Sequence, residues 1–320
     1  MPGSPPVAIA WLAMARWRVT DIGDLSGRVA VVTGANSGLG RQTALGLAGH
    51  GARVIMACRH PQRAAEATAE VAAVASGEAP VAVALDLADL ASVERFAAEL
   101  AEGHDGIDML VNNAGVMAIP RMLSAQGYEM QLATNHLGHF ALTLRLWPLL
   151  VGGCQARVVT LSSAVAATGR IRFDDIGGEH GYHPWGAYGQ SKLANLLFAF
   201  ELDRRARAAG GDVISVAAHP GYSATELIAN GPGASSTRTE RVAFAVGNAV
   251  IAQSARAGAL PSLYAATAAG VSGGQYFGPR GPAHLRGSPT RVRPPRVAGD
   301  LDVARRLWEL SAELTGVDLP

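Results

Sequence analysis

The sequence predicts a doubly wound α/β domain, with a mostly parallel sheet and helices on both faces. Three observations predict it: short apolar runs alternate with Ala-rich helical stretches, a glycine-rich turn joins the first run to the first helical stretch, and no internal repeat or long linker divides the chain. The runs Arg28 to Thr33, Arg53 to Cys58, Val81 to Leu87, Ile107 to Val111, Arg157 to Ser162 and Val213 to Ala218 are dominated by Val, Ile, Leu and Ala. Such runs suit strands buried on both faces of a parallel sheet. Between them Leu39 to His50, Pro61 to Ser76, Leu90 to Glu102, Ala125 to Leu150 and Ala187 to Ala209 are long enough for helices. Pro61 sits where a first helical turn accepts proline, whose missing N–H is unbonded there anyway. The crossovers are expected to be right-handed, with ligands at the C-terminal strand ends.

Past Gly221 the rhythm loosens. Val242 to Ala257 reads as a helix, Leu260 to Ala269 as a shorter one, Gly274 to Gly278 as a strand and Leu301 to Leu314 as a final helix. Gly281 to Gly299, rich in Pro, Gly and Arg, reads as a loop. Residues 1–20 read as a flexible leader, with Met14 as an alternative start. One domain then runs over 21–320, with a substrate-side lid around 222–260 and a C-terminal loop and helix over 280–320.

Of the 320 residues 49% are apolar and 17% charged, which supplies a large core and opposes disorder. The 27 basic and 26 acidic side chains leave +1, so no whole-chain field draws in a polyanion. The one basic stretch, Arg286, Arg291, Arg293 and Arg296, is interleaved with prolines and reads as solvated loop, so nucleic acid is not an expected partner. Cys58 and Cys154 form no disulfide framework and have no metal-type spacing. Val7 to Met14 is too short to span a bilayer and precedes its basic residues, the wrong order for a secretory signal. A cytoplasmic location is the expectation.

The first strand runs into Thr33-Gly34-Ala35-Asn36-Ser37-Gly38-Leu39-Gly40 and then a helix. Glycines there let the backbone approach a pyrophosphate, whose charge the helix N–H groups and dipole stabilise. At the end of the second strand Ala57-Cys58-Arg59 carries no carboxylate to bind a ribose 2′-hydroxyl, and the Arg59 guanidinium suits a 2′-phosphate. NADP is therefore favoured over NAD, with Arg41 a second candidate cation. Asp86 either hydrogen-bonds the adenine or caps the helix near Leu90. Asn112-Asn113-Ala114-Gly115 offers another close approach of backbone to ligand.

Tyr188 and Lys192 lie four apart in a helical run, so both side chains share one face. A free phenol, with a pKa of about 10, is a poor acid–base group at neutral pH. An ammonium and an oxidised nicotinamide beside it favour the phenolate, which equips Tyr188 to exchange a proton with a substrate oxygen while hydride moves at carbon. Ser162 and Ser163 end the fifth strand, where a hydroxyl can hold a carbonyl or alkoxide in place.

Taken together, Thr33-Gly34 through Gly40, Asp86-Leu87, Asn112 to Gly115, Asn135, Ser163, Tyr188 through Lys192 and Pro220-Gly221 resemble the short-chain dehydrogenase/reductase family, over roughly Arg28 to Thr225. The resemblance implies a Rossmann fold in which Tyr188 is the general acid/base and Ser163, rather than Ser162, orients the substrate. Lys192 would bind the nicotinamide ribose and lower the tyrosine pKa, and Asn135 would hold a water in a proton relay. It further implies that Gly34, Ser37, Gly38, Leu39 and Gly40 cradle the pyrophosphate, Asp86 and Leu87 the adenine, and Asn113 the adenosine side. Pro220, Gly221 and Thr225 would contact the nicotinamide end. Ser191-Lys192-Leu193-Ala194-Asn195, His219-Pro220-Gly221, Tyr276 to Pro279 and Leu307-Trp308-Glu309 look most like the retinol dehydrogenase and protochlorophyllide reductase-like group.

The leading expectation is an NADP-dependent alcohol dehydrogenase or carbonyl reductase acting on a small molecule. Met117, Met122, Tyr182, His183 and Trp185 near the expected mouth suggest an apolar or aromatic substrate. A double-bond reductase on the same scaffold and a non-catalytic NADP-binding sensor are the alternatives. A pure binder needs only the phosphate loop, which the Tyr188, Lys192, Ser163 and Asn135 set exceeds. His136 and His139 lack a third partner for a metal. Subunit pairing through the long helices, a homodimer, is implied by the resemblance and left open by the residues.

Overall fold

The computed structural model describes residues 16–222 and 253–319. Eight strands form one sheet in the order β3-β2-β1-β4-β5-β6-β7-β8. They are β1 Val29–Thr33, β2 Arg53–Cys58, β3 Val81–Ala84, β4 Met109–Asn112, β5 Arg157–Leu161, β6 Ile214–Ala218, β7 Tyr276–Pro279 and β8 Pro289–Arg291. All pairings are parallel except β7 with β8. The helices are α1 Gly38–Ala48, α2 Pro61–Ala72, α3 Leu90–Gly103, α4 Met130–Leu132, α5 Gly138–Arg145, α6 Trp147–Gly152, α7 Pro184–Ala208, α8 Ala255–Gly258, α9 Leu260–Thr267 and α10 Leu301–Thr315.

Alternation along each strand divides the core between the two faces of the sheet. Val31, Ile55 and Leu110 pack with side chains of α3, α5 and α7, while Ala30, Val32, Val54 and Met56 pack with those of α1, α2 and α9. Both faces are thus covered, as crossover helices require. The sheet order reverses between β1 and β4, and that switch point is where the strand ends leave room for a ligand.

Several expectations change in structural terms. The third strand stops at Ala84 and is partly exposed, because it forms the sheet edge with β2 as its single strand partner. Asp89, rather than Asp86, caps α3, accepting from the Ala91 N–H. The stretch Ala125 to Leu150 is not one helix. Gly127 turns with φ +82, Glu129 caps α4 through the Gln131 and Leu132 N–H groups, a π-turn follows over Ala133–Leu137, and Pro148 opens a separate α6. The Pro-rich loop after Gly281 conceals β8, whose Pro289 is tolerated because the strand lies at the other edge. Contacts also begin before the expected boundary at 21, since Trp17 meets Tyr264 edge-on at 5.3 Å. Residues 1–15, Thr225 and most of the expected lid and of the Val242 to Ala257 helix lie outside the described residues.

The C-terminal helix closes the α5/α7 side. Asp300 caps α10, Gly316 ends it with φ +69, and the buried Trp308 ring lies 4.9 Å from Phe140 and 5.9 Å from Phe198. Its indole N–H donates to Asp318 at 2.7 Å, and the Arg205 guanidinium covers the ring at 4.5 Å. Trp308→Ala leaves a cavity that these rigid neighbours fill only in part. Urea denaturation is expected to show a loss of about 3–5 kcal/mol.

Candidate active site

The C-terminal strand ends open onto a cleft of about 580 Å³. Its lining runs from Arg59, Arg63 and Asp86 at one end, past Gly34, Ser37, Gly38 and Leu39, to Ser163, Tyr188, Lys192 and Gly221 at the other. Each part follows from local sequence. Gly34 and Gly38 adopt φ +66 and +52, values that β-carbons disfavour. A Cβ on Gly34 would also sit 3.1 Å from Ala114. Ser37 holds the extended cap position of α1 without using its side chain as a cap, so the helix N-terminus faces the cleft with N–H groups free for an anion.

One glycine-loop residue serves differently from expectation. Gly40 does not line the cleft; a Cβ there would fall 2.3 Å from the Gly34 carbonyl oxygen and 2.5 Å from Asn113 Nδ2, so it is a packing glycine. Asn113 does line the cleft, and its amide donates to the Thr33 carbonyl at 2.7 Å, which fastens the loop to the end of β4.

At the far end Arg59, His60 and Arg63 stand together, and neither arginine forms an ion pair among the described residues. Arg59 lies 3.4 Å from His60 Nε2. Arg63 was not singled out in the sequence, although its place one turn into α2 returns it to the same strand end as Arg59. Arg41 turns away and pairs with Glu70 of α2 at 3.2 Å. Asp86 and Leu87 both line the cleft, with Asp86 Oδ1 accepting from the Ala88 N–H at 3.0 Å.

The chemistry-bearing groups converge from three elements. Tyr188 and Lys192 project from α7, whose start is set by Pro184 and by His183 as cap. Tyr188 is buried, with the Ser163 hydroxyl beside it at the end of β5. Ser162 points the other way and donates to the Lys192 carbonyl at 2.7 Å, holding α7 against β5. The Lys192 ammonium lies 5.8 Å from the centre of the Tyr188 ring and, among the described residues, makes a single long polar contact, 3.4 Å, to the Leu161 carbonyl. Asn135 sits in the π-turn, where its side chain accepts from the Val116 N–H at 2.8 Å and donates to the Val116 carbonyl and to Ser191 Oγ, both at 2.9 Å.

Burial governs the titration of this group. It pushes the Tyr188 phenol up to about 12, with the bond to Ser163 pulling down, and it lowers Lys192 to about 8. The expected lowering of the tyrosine by the ammonium does not appear: the phenol lies above its ordinary value, and Ser163 is what pulls it down. These residues fit a dinucleotide. Lys192 has ammonium donors to spare for ribose hydroxyls, and Gly115 must lack a Cβ because one would lie 2.8 Å from Asn135 Oδ1 and 3.4 Å from Lys192 Nζ.

Of the residues expected at the substrate mouth, Met117 and Trp185 line the cleft, joined by Ile119 and Val165. Met122, Tyr182 and His183 do not. Tyr182 accepts from Gln131 at 2.8 Å and donates toward the Ile119 carbonyl, at 2.9 Å, and Glu129, at 3.1 Å, so it braces the wall from behind. Among the described residues no cluster of ligating side chains suits a metal, and no helix is long and apolar enough to cross a membrane.

The family described as short chain dehydrogenase matches residues 28–232. The chain belongs to the short-chain dehydrogenase family. Human retinol dehydrogenase 13 is 38% identical over 304 residues, 92% of this chain and 87% of that protein. The crystal structure of an uncharacterized protein from Mycobacterium paratuberculosis shares 41% identity at a TM-score of 0.78, with 96% of this chain and 100% of that one covered. A structure from Beutenbergia cavernae, described as an NAD(P) dependent gluconate 5-dehydrogenase with NADP at low occupancy, shares 29% identity at 0.61, over 79% of this chain and 95% of its own. This short-chain dehydrogenase is accordingly an oxidoreductase enzyme.

The buried ammonium gives the dehydrogenase a pH signature. Above about 8 the folded protein releases the Lys192 proton, whereas the unfolded chain keeps it until about 10.4. The unfolded state then binds more protons, so this residue's contribution to stability rises with pH across that window. Lys192→Met, which never buries a charge, is expected to be more stable than wild type at pH 7. Chemical denaturation at a series of pH values should show the gap closing toward about pH 10.

Proposed function

We propose that the enzyme is an NADP-dependent alcohol dehydrogenase or carbonyl reductase for apolar substrates, with Tyr188 as the general acid/base. The observation that carries this reading is that Ser163, Tyr188 and Lys192 line the same cleft as the glycine loop. A bound nicotinamide supplies or accepts the hydride. The chain's own groups do the remainder. Ser163 holds the substrate oxygen, Tyr188 gives it a proton in reduction or takes one in oxidation, and Lys192 holds ribose hydroxyls while its charge favours the phenolate. Asn135 keeps the Val116 backbone and Ser191 in register beneath that ammonium.

Arg59 and Arg63 support NADP over NAD, because two guanidinium groups that form no ion pair among the described residues suit a 2′-phosphate. The NADP bound to the Beutenbergia cavernae protein agrees with this choice. Thr225 remains assigned to the nicotinamide end on family resemblance. For the substrate, Met117, Ile119, Val165 and Trp185 offer an apolar wall with no charged residue among them, in keeping with relatives named for the apolar alcohol retinol.

The test is NADPH-dependent turnover on a panel of apolar aldehydes and ketones. Tyr188→Phe keeps the ring and removes the proton, so nicotinamide fluorescence should report unchanged NADPH binding while kcat falls by about 10²-fold or more. Wild-type turnover in that variant would remove Tyr188 from the mechanism. Arg59→Asp should lower the ratio of kcat/KM for NADPH to that for NADH by at least about tenfold, with Arg63→Asp changing it in the same direction. An unaltered ratio in both would separate the arginines from cofactor choice.

A further inference from the structure

His139 is buried in α5, away from the cleft lining, and both of its ring nitrogens are engaged. Nε2 lies 2.9 Å from Thr33 Oγ1, and Nδ1 lies 3.0 Å from the backbone carbonyl of Asn135. The Thr33 hydroxyl fixes which nitrogen carries the proton. It accepts from the Asn113 and Ala114 N–H groups, each at 2.9 Å, which occupies both lone pairs. Its own proton must therefore leave, and His139 Nε2 is nearer than the alternative acceptor, the Val111 carbonyl at 3.4 Å. Nε2 is then unprotonated, and Nδ1–H donates to Asn135. The opposite tautomer would set an Nε2–H against a filled oxygen and an Nδ1 lone pair against a carbonyl.

The two partners of this ring belong to different halves of the cleft. Thr33 holds residues 113 and 114 under the glycine loop, the half that takes the pyrophosphate. Asn135 holds Val116 and Ser191, the half that carries Lys192 and Tyr188. In the π-turn the Gly138 N–H reaches back to the Ala133 carbonyl, so the backbone around Asn135 departs from regular α-helical spacing and gains from a side-chain partner one turn on that Thr33 holds in place.

We propose that His139 is a positioning residue, a neutral strut that sets the Asn135 end of the cleft floor against the Thr33 end and so couples dinucleotide binding to the placement of the acid–base group. Burial keeps the ring neutral, lowering it to about 3, with the Lys192 and His136 charges pressing the same way. The proposal rests on the dinucleotide reading of the cleft.

Two conservative variants divide the strut. In His139→Asn the amide N–H group takes the place of Nδ1–H and keeps the Asn135 bond, while the Thr33 bond is lost. In His139→Gln the longer amide oxygen takes the place of Nε2 and keeps the Thr33 bond, while the Asn135 bond is lost. The Asn variant is expected to weaken NADPH binding, measured by nicotinamide fluorescence, by about tenfold with a smaller fall in kcat. The Gln variant should lower kcat by about tenfold with a smaller change in Kd.

Nitrogen-15 NMR of the imidazole in wild type should show a protonated Nδ1 and an unprotonated Nε2, unchanged between about pH 5 and about pH 8. Equal, parallel losses in Kd and kcat for the two variants, or no loss in either, would overturn the strut, as would an Nε2–H tautomer. The NMR result stands whether or not a variant folds. Failure of wild type to bind NADPH would instead overturn the dinucleotide reading.

Discussion

A lysine ammonium held out of water, with one long carbonyl contact among the described residues, is the constraint around which the rest of the site is arranged. A cation so placed is costly unless something binds it, and α7 must be held rigidly to keep it there. Ser162 fastens the Lys192 backbone to β5, Asn195 donates to the same Leu161 carbonyl that the ammonium approaches, and Asn135 braces Ser191 from the π-turn. The phenol one turn earlier inherits this rigidity, and so it is held on the cleft wall beside Ser163.

The same economy of fixed contacts governs the phosphate side. Glycine at 34, 38 and 40 solves three separate problems: backbone sign at the first two, and clearance from the Gly34 carbonyl and Asn113 at the third. Asn113, 80 positions beyond Thr33, donates to it twice, from its backbone N–H to the hydroxyl and from its side-chain amide to the carbonyl, so the ends of β1 and β4 are joined and the loop is anchored at the point where the sheet order reverses. Preorganised donors of this kind need no rearrangement when charge arrives.

What could be read from the sequence was whatever repeats locally. The strand and helix alternation, the glycine loop, and Tyr188 with Lys192 on one helical face all depend on neighbours a few residues apart. Arg63, Gly115 and the roles of Thr33 and His139 depend on which strand ends lie side by side, and no local period carries that information. Polarity in a plausible place also misled: Tyr182 and His183 precede the catalytic-looking helix, yet one braces Glu129 and Gln131 and the other caps α7. Arg41 lies on the first helix near the loop, and the packing of α1 beside α2 turns it to Glu70. The short β8 was hidden because three residues with a proline at an edge leave no alternation to detect.

The C-terminal helix places the last part of the core at the last part of the chain. Tyr128 donates its hydroxyl proton to the Leu314 carbonyl, and His136 meets Ser311, across 186 and 175 positions. Until α10 leaves the ribosome, Phe140 and Phe198 lack the Trp308 ring that closes over them. Contacts of such high order form late, so a polypeptide that stops before α10, and so lacks Trp308, would carry its cleft beside an open aromatic face, the kind of surface that chaperones and proteases use to recognise an incomplete product.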